Sequence, residues 1–541
     1  MNPSRFVDRT SSTPLLMGIN GTTAISPPTD HQTLLKQSCR RPTISEVNYL
    51  IPPRKIPINY SCITEILKKF IIYFQVVDEI KNLYSIAFPL IITGLLVYGK
   101  SVISIVFMGK LGKEALAGGS LGNGVANIAG YSIISGLAMG MEGISSQACG
   151  AKQWSLMSQI LQRTILILLF TSLPISLLWL HIEPILIFFG QDPIISSTAS
   201  SYLAFCLPDL FFQSFINPLK IHLRTQNITF PLMLGSGFAL VLHGPITYFL
   251  IYRTGLGIGG IAVAAAVTDF VLLITLILYM LFSGVYKRSW QGFSYECFQE
   301  WRPILGLAIP SCVSVCLEWW WYELMILLSG LLSNAAEVVA TMGIVLQATS
   351  LIYIFPSALS LAVSTRVGIE LGANQPSRAR TSSIIALSCA VITSFLAMSF
   401  MATLRNVWGR AFTEDETIVS LTATVLPVVG LCELGNFPQT TGCGVLRGSA
   451  RPSLGVTINL GSFYGIGLPL AVILGFGFRK GLMGLWLGLL VAQIVCALLM
   501  VLVLKGTEWR KEANRARELI GVGEAHENDG LGQYIRIKVM N

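Results

Sequence analysis

Long apolar blocks alternate with short polar connections along most of the chain. Twelve such blocks lie near residues 85–108, 116–141, 164–189, 198–217, 229–252, 259–284, 304–331, 338–363, 383–404, 418–440, 454–477 and 482–504. Each is long enough to cross a bilayer, where roughly 20 residues are needed. The pattern predicts an all-α polytopic membrane protein with twelve transmembrane helices. The chain ends are different. Met1 to about Tyr60 is polar, with Pro27, Pro28, Pro52, Pro53 and Pro57, and reads as a disordered tail. Ile63–Val77, apolar around Lys68 and Lys69, reads as an interfacial helix. No short apolar signal region precedes the first block, so that block is expected to direct insertion itself. After Lys505 the chain is polar again, and its helical character fades beyond Gly521. The expected organisation is a tail over 1–78, a first lobe over 79–290, a second over 291–505 and a tail over 506–541.

Composition fits this pattern: 53% of residues are hydrophobic and 12% charged, about half the charged share of globular proteins. An even number of spans puts both termini on one side, and basic residues choose the side. With the termini inside, twelve Lys and Arg fall in inner connections, including Lys152, Arg224, Arg366, Arg378, Arg380 and Arg447. Seven fall in outer ones, and 17 more lie in the tails. Both termini are therefore expected in the cytosol. The net charge of +9 then reflects topology and does not mark a nucleic-acid surface. The 11 cysteines form no CxxC pair and no zinc-spaced set with histidine. Cys312 and Cys316 share a helix face at a spacing open to metal, but the expected reading is small apolar packing. No metal or cofactor is expected.

The two halves repeat. Glu79-Ile-Lys-Asn-Leu-Tyr-Ser-Ile-Ala-Phe-Pro89 aligns with Glu300-Trp-Arg-Pro-Ile-Leu-Gly-Leu-Ala-Ile-Pro310 at an offset of 221. Gly150-Ala-Lys-Gln153 aligns with Gly372-Ala-Asn-Gln375 at 222, Leu223-Arg224 with Leu446-Arg447 at 223, and Gly257 and Gly260 with Gly481 and Gly484 at 224. Six spans per half make the repeats parallel, related by an axis along the membrane normal. Two such bundles can rock about a cavity between them, the geometry of alternating access. Gly255-Leu-Gly-Ile-Gly-Gly260 spells GxGxxG, but it joins two spans with no strand before it and is read as a scaffold turn. No nucleotide-binding signature accompanies it, so an ion gradient is the expected energy source and no enzymatic activity is expected.

Four motifs carry a resemblance to a known family. Gln147-Ala-Cys-Gly-Ala-Lys152, Cys316-Leu-Glu-Trp-Trp320, Arg366-Val-Gly-Ile-Glu-Leu-Gly-Ala-Asn-Gln375 and Gln439-Thr-Thr-Gly-Cys-Gly-Val-Leu-Arg-Gly448 resemble the multidrug and toxic compound extrusion (MATE) family. The plant DETOXIFICATION branch is the nearest match, and the likeness covers roughly residues 79–505. It implies a two-lobed, twelve-helix antiporter that exchanges a solute for protons or sodium. Members handle organic cations, flavonoids, alkaloids, organic acids, hormones and toxic compounds.

Ionisable groups within spans cost several kcal/mol and are functional candidates. Those here are Lys100, Asp209, Asp269, Glu318, Glu323 and Glu433. Glu318 leads: it sits near the middle of the seventh span beside Leu317 and Trp319–Trp321, where apolar neighbours penalise the charged carboxyl. The resemblance points to the same Glu. Glu433, before Gly435-Asn-Phe-Pro438, is expected where Gly and Pro break the tenth span and free carbonyls. The resemblance pairs an acid of this region, commonly Asp, with the seventh-span Glu. Glu323 lies roughly 140° from Glu318 around the helix, so the two are not expected to face one cavity squarely unless the helix bends. Lys100, a place where the family often has a basic residue, is read as neutralising an embedded acid or attracting an anionic solute. Asp209 and Asp269 are read chiefly as helix-to-helix bonds. Asn127 is a candidate substrate contact. Trp319, Trp320, Trp321 and Tyr322 sweep about 300° of helix, so some line a cavity for flat or cationic solutes while at least one faces away. Glu142 and Glu370 are expected in structural ion pairs with Arg366 or neighbouring bases.

The expected function is export of organic solutes from the cytosol against protons by a monomer embedded in the bilayer. The alternatives are an anion channel of the same fold and a membrane signalling scaffold.

Overall fold

The computed structural model describes residues 60–521, apart from residues 291, 293, 294 and 300 and the side chains of residues 60–72 and 288. The tail expected before Tyr60 and the chain beyond Gly521 lie outside the described residues. The chain divides after Tyr73 into two units, and apart from the helix that begins at Tyr60 everything below concerns the second, Phe74 onward.

Among the described residues every regular element is helical. Twelve helices are long and apolar enough to cross a membrane: Tyr73–Leu111, Lys113–Gly150, Trp154–Leu180, Pro193–Thr225, Phe230–Tyr252, Gly257–Phe282, Trp301–Gly330, Ala335–Gly372, Pro376–Ala411, Glu416–Gly448, Pro452–Gly477 and Gly481–Lys505. They are called spans one to twelve below. A further helix, Trp509–Leu519, follows the last span.

Two expectations need correction. Ile63–Val77 is not a separate interfacial helix but part of one helix, Tyr60–Leu111, that continues into the first span. No Gly or Pro lies between Tyr60 and Phe88 to end it. The third block was expected near 164–189. The helix instead starts at Trp154 and ends at Leu180, and a separate short helix covers Ile182–Phe188. Its polar first turns were misread as loop because Ser158, Gln162, Arg163 and Thr164 are buried against protein.

Two hydrophobic cores separate the lobes: one built mainly from spans two to six, the other mainly from spans eight to twelve. The repeats exchange their opening turns. Leu83, Ile86 and Ala87 of the first span belong to the second lobe's core. Ile304, Leu307 and Ala308 of the seventh span belong to the first lobe's core. These residues are repeat mates at the offset of 221. Each repeat thus reaches across a pseudo-two-fold axis, as parallel repeats related along the membrane normal can.

Repeat symmetry also shapes the turns. The connection between spans five and six is left-handed at Gly255 (φ 71°) and Gly257 (φ 53°), and the equivalent connection at Arg479 (φ 52°) and Gly481 (φ 58°). This is the scaffold turn read from the GxGxxG run.

Where the lobes meet at one end, spans two and eight touch through glycine. A Cβ on Gly150 would lie 2.1 Å from the Ile369 carbonyl oxygen, and one on Gly372 1.9 Å from that of Gln147. These contacts are repeat mates of each other. They seal the end of the molecule that carries residues 151–153 and 373–375. Gln147 Nε2 adds a bond to the Gly448 carbonyl at 3.1 Å.

Candidate functional site

A cavity of about 300 Å³ lies between the lobes and is lined by Asn127, Ile128, Glu318, Trp319, Tyr322, Glu323, Ile326, Leu346, Thr349, Ser350 and Tyr353. Spans two, seven and eight build it. At 100° per residue, Glu318, Tyr322, Ile326, Trp319 and Glu323 fall in that order across an arc of about 140° on span seven. The cavity takes the whole arc, with a carboxylate at each edge. Glu318 and Glu323, not expected to point squarely into one cavity, both stand on its lining, at opposite edges of the arc. The angle holds, and the cavity is wide enough to include both directions.

The aromatic run divides as its sweep requires. Trp319 and Tyr322 line the cavity. Trp321 turns into the second lobe, 1% exposed, against Phe463 and Tyr464. Trp320 donates from Nε1 to the Ile128 carbonyl of the other lobe at 3.2 Å. That carbonyl belongs to a π-helical turn, Asn127–Tyr131, that interrupts span two beside the cavity. Such turns are frequent at functional sites.

Glu433 is buried and accepts a hydrogen bond from Asn436 Nδ2 at 2.8 Å. It is not on the cavity's lining. The tenth span is not broken there, contrary to expectation: Glu416–Gly448 is one helix through Pro427 and Pro438. Close packing holds it, since a Cβ on Gly435 would lie 2.7 Å from the Gln493 backbone of span twelve. Tyr322 and Tyr353 share the cavity's lining with Glu318.

Lys100 and Asp209 are not on the lining of this cavity. Lys100 Nζ pairs with Asp269 Oδ1 at 2.5 Å and bonds the Ala265 carbonyl at 3.3 Å. Gln213 Nε2 donates to Asp269 Oδ2 at 3.0 Å, and the Tyr131 hydroxyl to Asp209 Oδ2 at 2.7 Å. Lys100 thus neutralises an embedded acid, the first of its two expected roles. Asp209 and Asp269 tie spans one, two, four and six together inside the first lobe.

The ends of the spans carry the remaining charge. Glu370 pairs with Arg366 at 2.6 Å, and Arg366 also takes Glu79 at 2.8 Å. Glu142 pairs with Arg224 at 2.8 Å and, across the lobe boundary, with Arg447 at 3.5 Å. Cys312 and Cys316, 3.9 Å apart, lie against the Ile133 carbonyl and the Ser132 hydroxyl of the other lobe.

Sequence reasoning missed the span-eight wall: Thr349, Ser350 and Tyr353. Only Thr349 and Tyr353 have the i, i+4 spacing of one helix face, and span eight carries other uncharged polar groups such as Gln347 and Ser357, so no pattern singled these three out.

Comparison with known proteins gives the lineage of this architecture. The MatE family profile matches twice, over residues 89–249 and 310–473, once in each repeat. Protein DETOXIFICATION 49 of Arabidopsis thaliana is 55% identical over 461 residues, covering 85% of this chain and 92% of that protein. Protein DETOXIFICATION 48 of the same plant is 51% identical, covering 84% and 85%. A crystal structure of the eukaryotic MATE transporter AtDTX14 superposes with a TM-score of 0.79 at 32% identity, covering 82% of this chain and all of that one. The Vibrio cholerae MATE transporter VcmN in its bent form shares the fold, with a TM-score of 0.70 at 17% identity, covering 82% and 99%. The chain belongs to the MATE family, within its DETOXIFICATION branch. It is an integral multi-pass transporter of small solutes, coupled in general to cations, and not an enzyme.

Proposed function

We propose that this transporter exports organic solutes (metabolites, xenobiotics or hormones) from the cytosol in exchange for protons, with Glu318 as the main proton-carrying group. The observation that carries the reading is the cavity between the lobes, where Glu318 and Glu323 stand among Trp319, Tyr322 and Tyr353. No basic side chain is on that lining. Lys100, the group an anion pathway would need, is committed to Asp269.

The excess of Lys and Arg on one side assigns the glycine-sealed end to the cytosol. In this arrangement the cavity belongs to the far side. Solute enters between the lobes from the cytosol while Glu318 is ionised. Protons from the acidic far side then neutralise the carboxylates, weaken polar and cationic contacts, and release the solute outward. Each unit of pKa difference between the two facing states couples about 1.4 kcal/mol. Both lobes of one chain build the whole cavity, so a monomer suffices.

The test is solute flux in proteoliposomes against an imposed pH gradient, using a mixed metabolite load read by mass spectrometry. Glu318→Gln keeps side-chain volume but cannot release a proton, and is expected to abolish proton-driven flux at normal protein yield. Glu318→Asp is expected to keep partial flux with a displaced pH optimum. Full, proton-dependent flux in Glu318→Gln would move the coupling site to Glu433 or Glu323.

A further inference from the structure

The cavity between the lobes holds one more carboxylate than a single proton site needs. Most other embedded acids already have a partner: Asp269 has Lys100, Asp209 the Tyr131 hydroxyl, Glu433 the Asn436 amide and Glu142 the Arg224 guanidinium. Glu318 and Glu323 are in no ion pair among the described residues, and both stand on the lining. The other lining residues are apolar or uncharged, since the phenols of Tyr322 and Tyr353 stay neutral at ordinary pH. Five residues apart on one helix, the two glutamates are separated by about 7.5 Å along the axis and about 140° around it. Tyr322, Ile326 and Trp319 fill the arc between them.

We infer that the preferred solute is a dication, two cationic nitrogens joined by an apolar spacer, with one nitrogen held at Glu318 and the other at Glu323. This rests on the reading of the cavity as the transport site and of Glu318 as its proton site. A cavity of about 300 Å³ is at the small end of ligand pockets, so a solute that fills it reaches both edges of the arc. A monocation balances one carboxylate and leaves the other without a counter-charge. Both side chains are partly withdrawn from water, where an unpaired charge is costly. A dication balances both. Its spacer lies along Tyr322, Ile326 and Trp319, and the aromatic faces add attraction for the charged ends.

Glu323 is then the specificity-determining residue. Glu318 alone would accept any cation of suitable size, whereas the second carboxylate selects solutes with a second charge at a set distance. An anion meets two like charges, and a zwitterion brings its own carboxylate against one of them. Because both glutamates are fixed on one helix, the spacer has a best length: a short one misses an edge and a long one does not fit. Protons from the far side neutralise the carboxylates and strip both counter-charges from the solute. Release therefore follows the same direction as the cycle proposed for this cavity.

The test uses permanently charged probes, so that an imposed pH gradient changes the protein and not the solute. Full-length protein in proteoliposomes is given bis(trimethylammonium)alkanes with spacers from propane to decane, and alkyltrimethylammonium ions of matched length. Proton-driven flux is read by mass spectrometry. In the wild type, a bis-cation of intermediate spacer is expected to exceed its matched monocation about tenfold in kcat/KM. Glu323→Gln is expected to lose that preference through a raised KM for the bis-cation but not for the monocation, a split that a merely structural role would not produce. Glu323→Asp is expected to restore the preference with a longer best spacer, because its carboxylate is drawn back. Equal handling of the two probes by the wild type overturns the inference. So does a wild type that moves neither probe, or a preference that survives in Glu323→Gln. Proton-driven flux of the monocation that persists in Glu318→Gln overturns instead the assignment of the proton to Glu318. If Glu323→Gln fails to yield monodisperse protein, the wild-type spacer series decides: flux with no best spacer length sinks the proposal.

Discussion

Lys100 and Glu318 show how differently two embedded charges can be treated by one fold. Lys100 and Asp269 are a committed pair, with Gln213 and the Ala265 carbonyl taking their remaining bonding capacity. Removing one partner strands the other, whereas removing both charges leaves no buried ion unpaired. Lys100→Met is therefore expected to lower stability by about 3 kcal/mol, read as a fall in melting temperature in detergent. Lys100→Met combined with Asp269→Asn is expected to regain most of that loss. Additive damage in the double variant would mean that the lysine acts outside this pair. Glu318 has no such ion-pair partner at hydrogen-bonding distance among the described contacts, as the proposed exchange of its proton requires. Much of this was legible in the sequence, because a charge inside a long apolar block advertises itself. What could not be read was which embedded charges meet. Asp269 is 169 residues from Lys100, and no local pattern joins them. Thr349, Ser350 and Tyr353 were overlooked for the opposite reason: uncharged polar groups raise little alarm in an apolar span.

At the scale of elements, the spans were visible as apolar blocks, but their true ends were not. Spans two, eight and ten continue as helix to Gly150, Gly372 and Gly448 through residues that read as loop. Those turns are buried against protein, so they need not be apolar enough for lipid. Glycine is what lets them meet. Two glycines of span eight separate packing from flexibility. A Cβ at residue 372 would sit 1.9 Å from the Gln147 carbonyl oxygen, while one at residue 343 would meet nothing within 4 Å. Gly372→Ala must push spans two and eight apart, and overpacking of this kind costs about 1–3 kcal/mol. Gly343→Ala only improves helix propensity, by up to about 1 kcal/mol. Thermal retention of the monodisperse peak is expected to fall for the first and to hold or rise for the second. Equal behaviour of the two would mean that the seam tolerates separation and does not depend on glycine contact. The π-helical turn at Asn127–Tyr131 had no comparable sequence signal, since its residues suit an ordinary helix equally well.

Across the whole molecule, the two lobes are joined at the sealed end by more than the spans. The C-terminal helix, Trp509–Leu519, is polar on one face and carries alanines on the other. Ala513 and Ala516 pack into the second lobe's core, while Ile520, just past the helix, belongs to the first lobe's core. Polar contacts hold the helix to the turn after span ten: Arg451 pairs with Glu512 at 3.1 Å and donates to Thr507 Oγ1 at 3.2 Å, and Arg515 donates to the Ala450 carbonyl at 3.3 Å. A helix that touches both lobes at their closed end must let go of one of them when that end opens. Its contacts therefore count only toward the closed state. Ile520 alone is worth about 1.5–3 kcal/mol of burial, and 1.4 kcal/mol is a factor of ten in an equilibrium. Removing residues 507–541 is expected to raise the open fraction at least about tenfold, read as the distance between fluorescent labels at Lys152 and Ser377, both exposed at this end and in different lobes. Ile520→Ala is expected to give part of that change, because it removes the first-lobe contact and leaves the second. Arg510→Ala, on the exposed face, is expected to give none. A truncated protein with an unchanged seam would show that the helix merely rests on the second lobe. Opening by truncation without any change from Ile520→Ala would place the restraint in the Arg451 contacts instead.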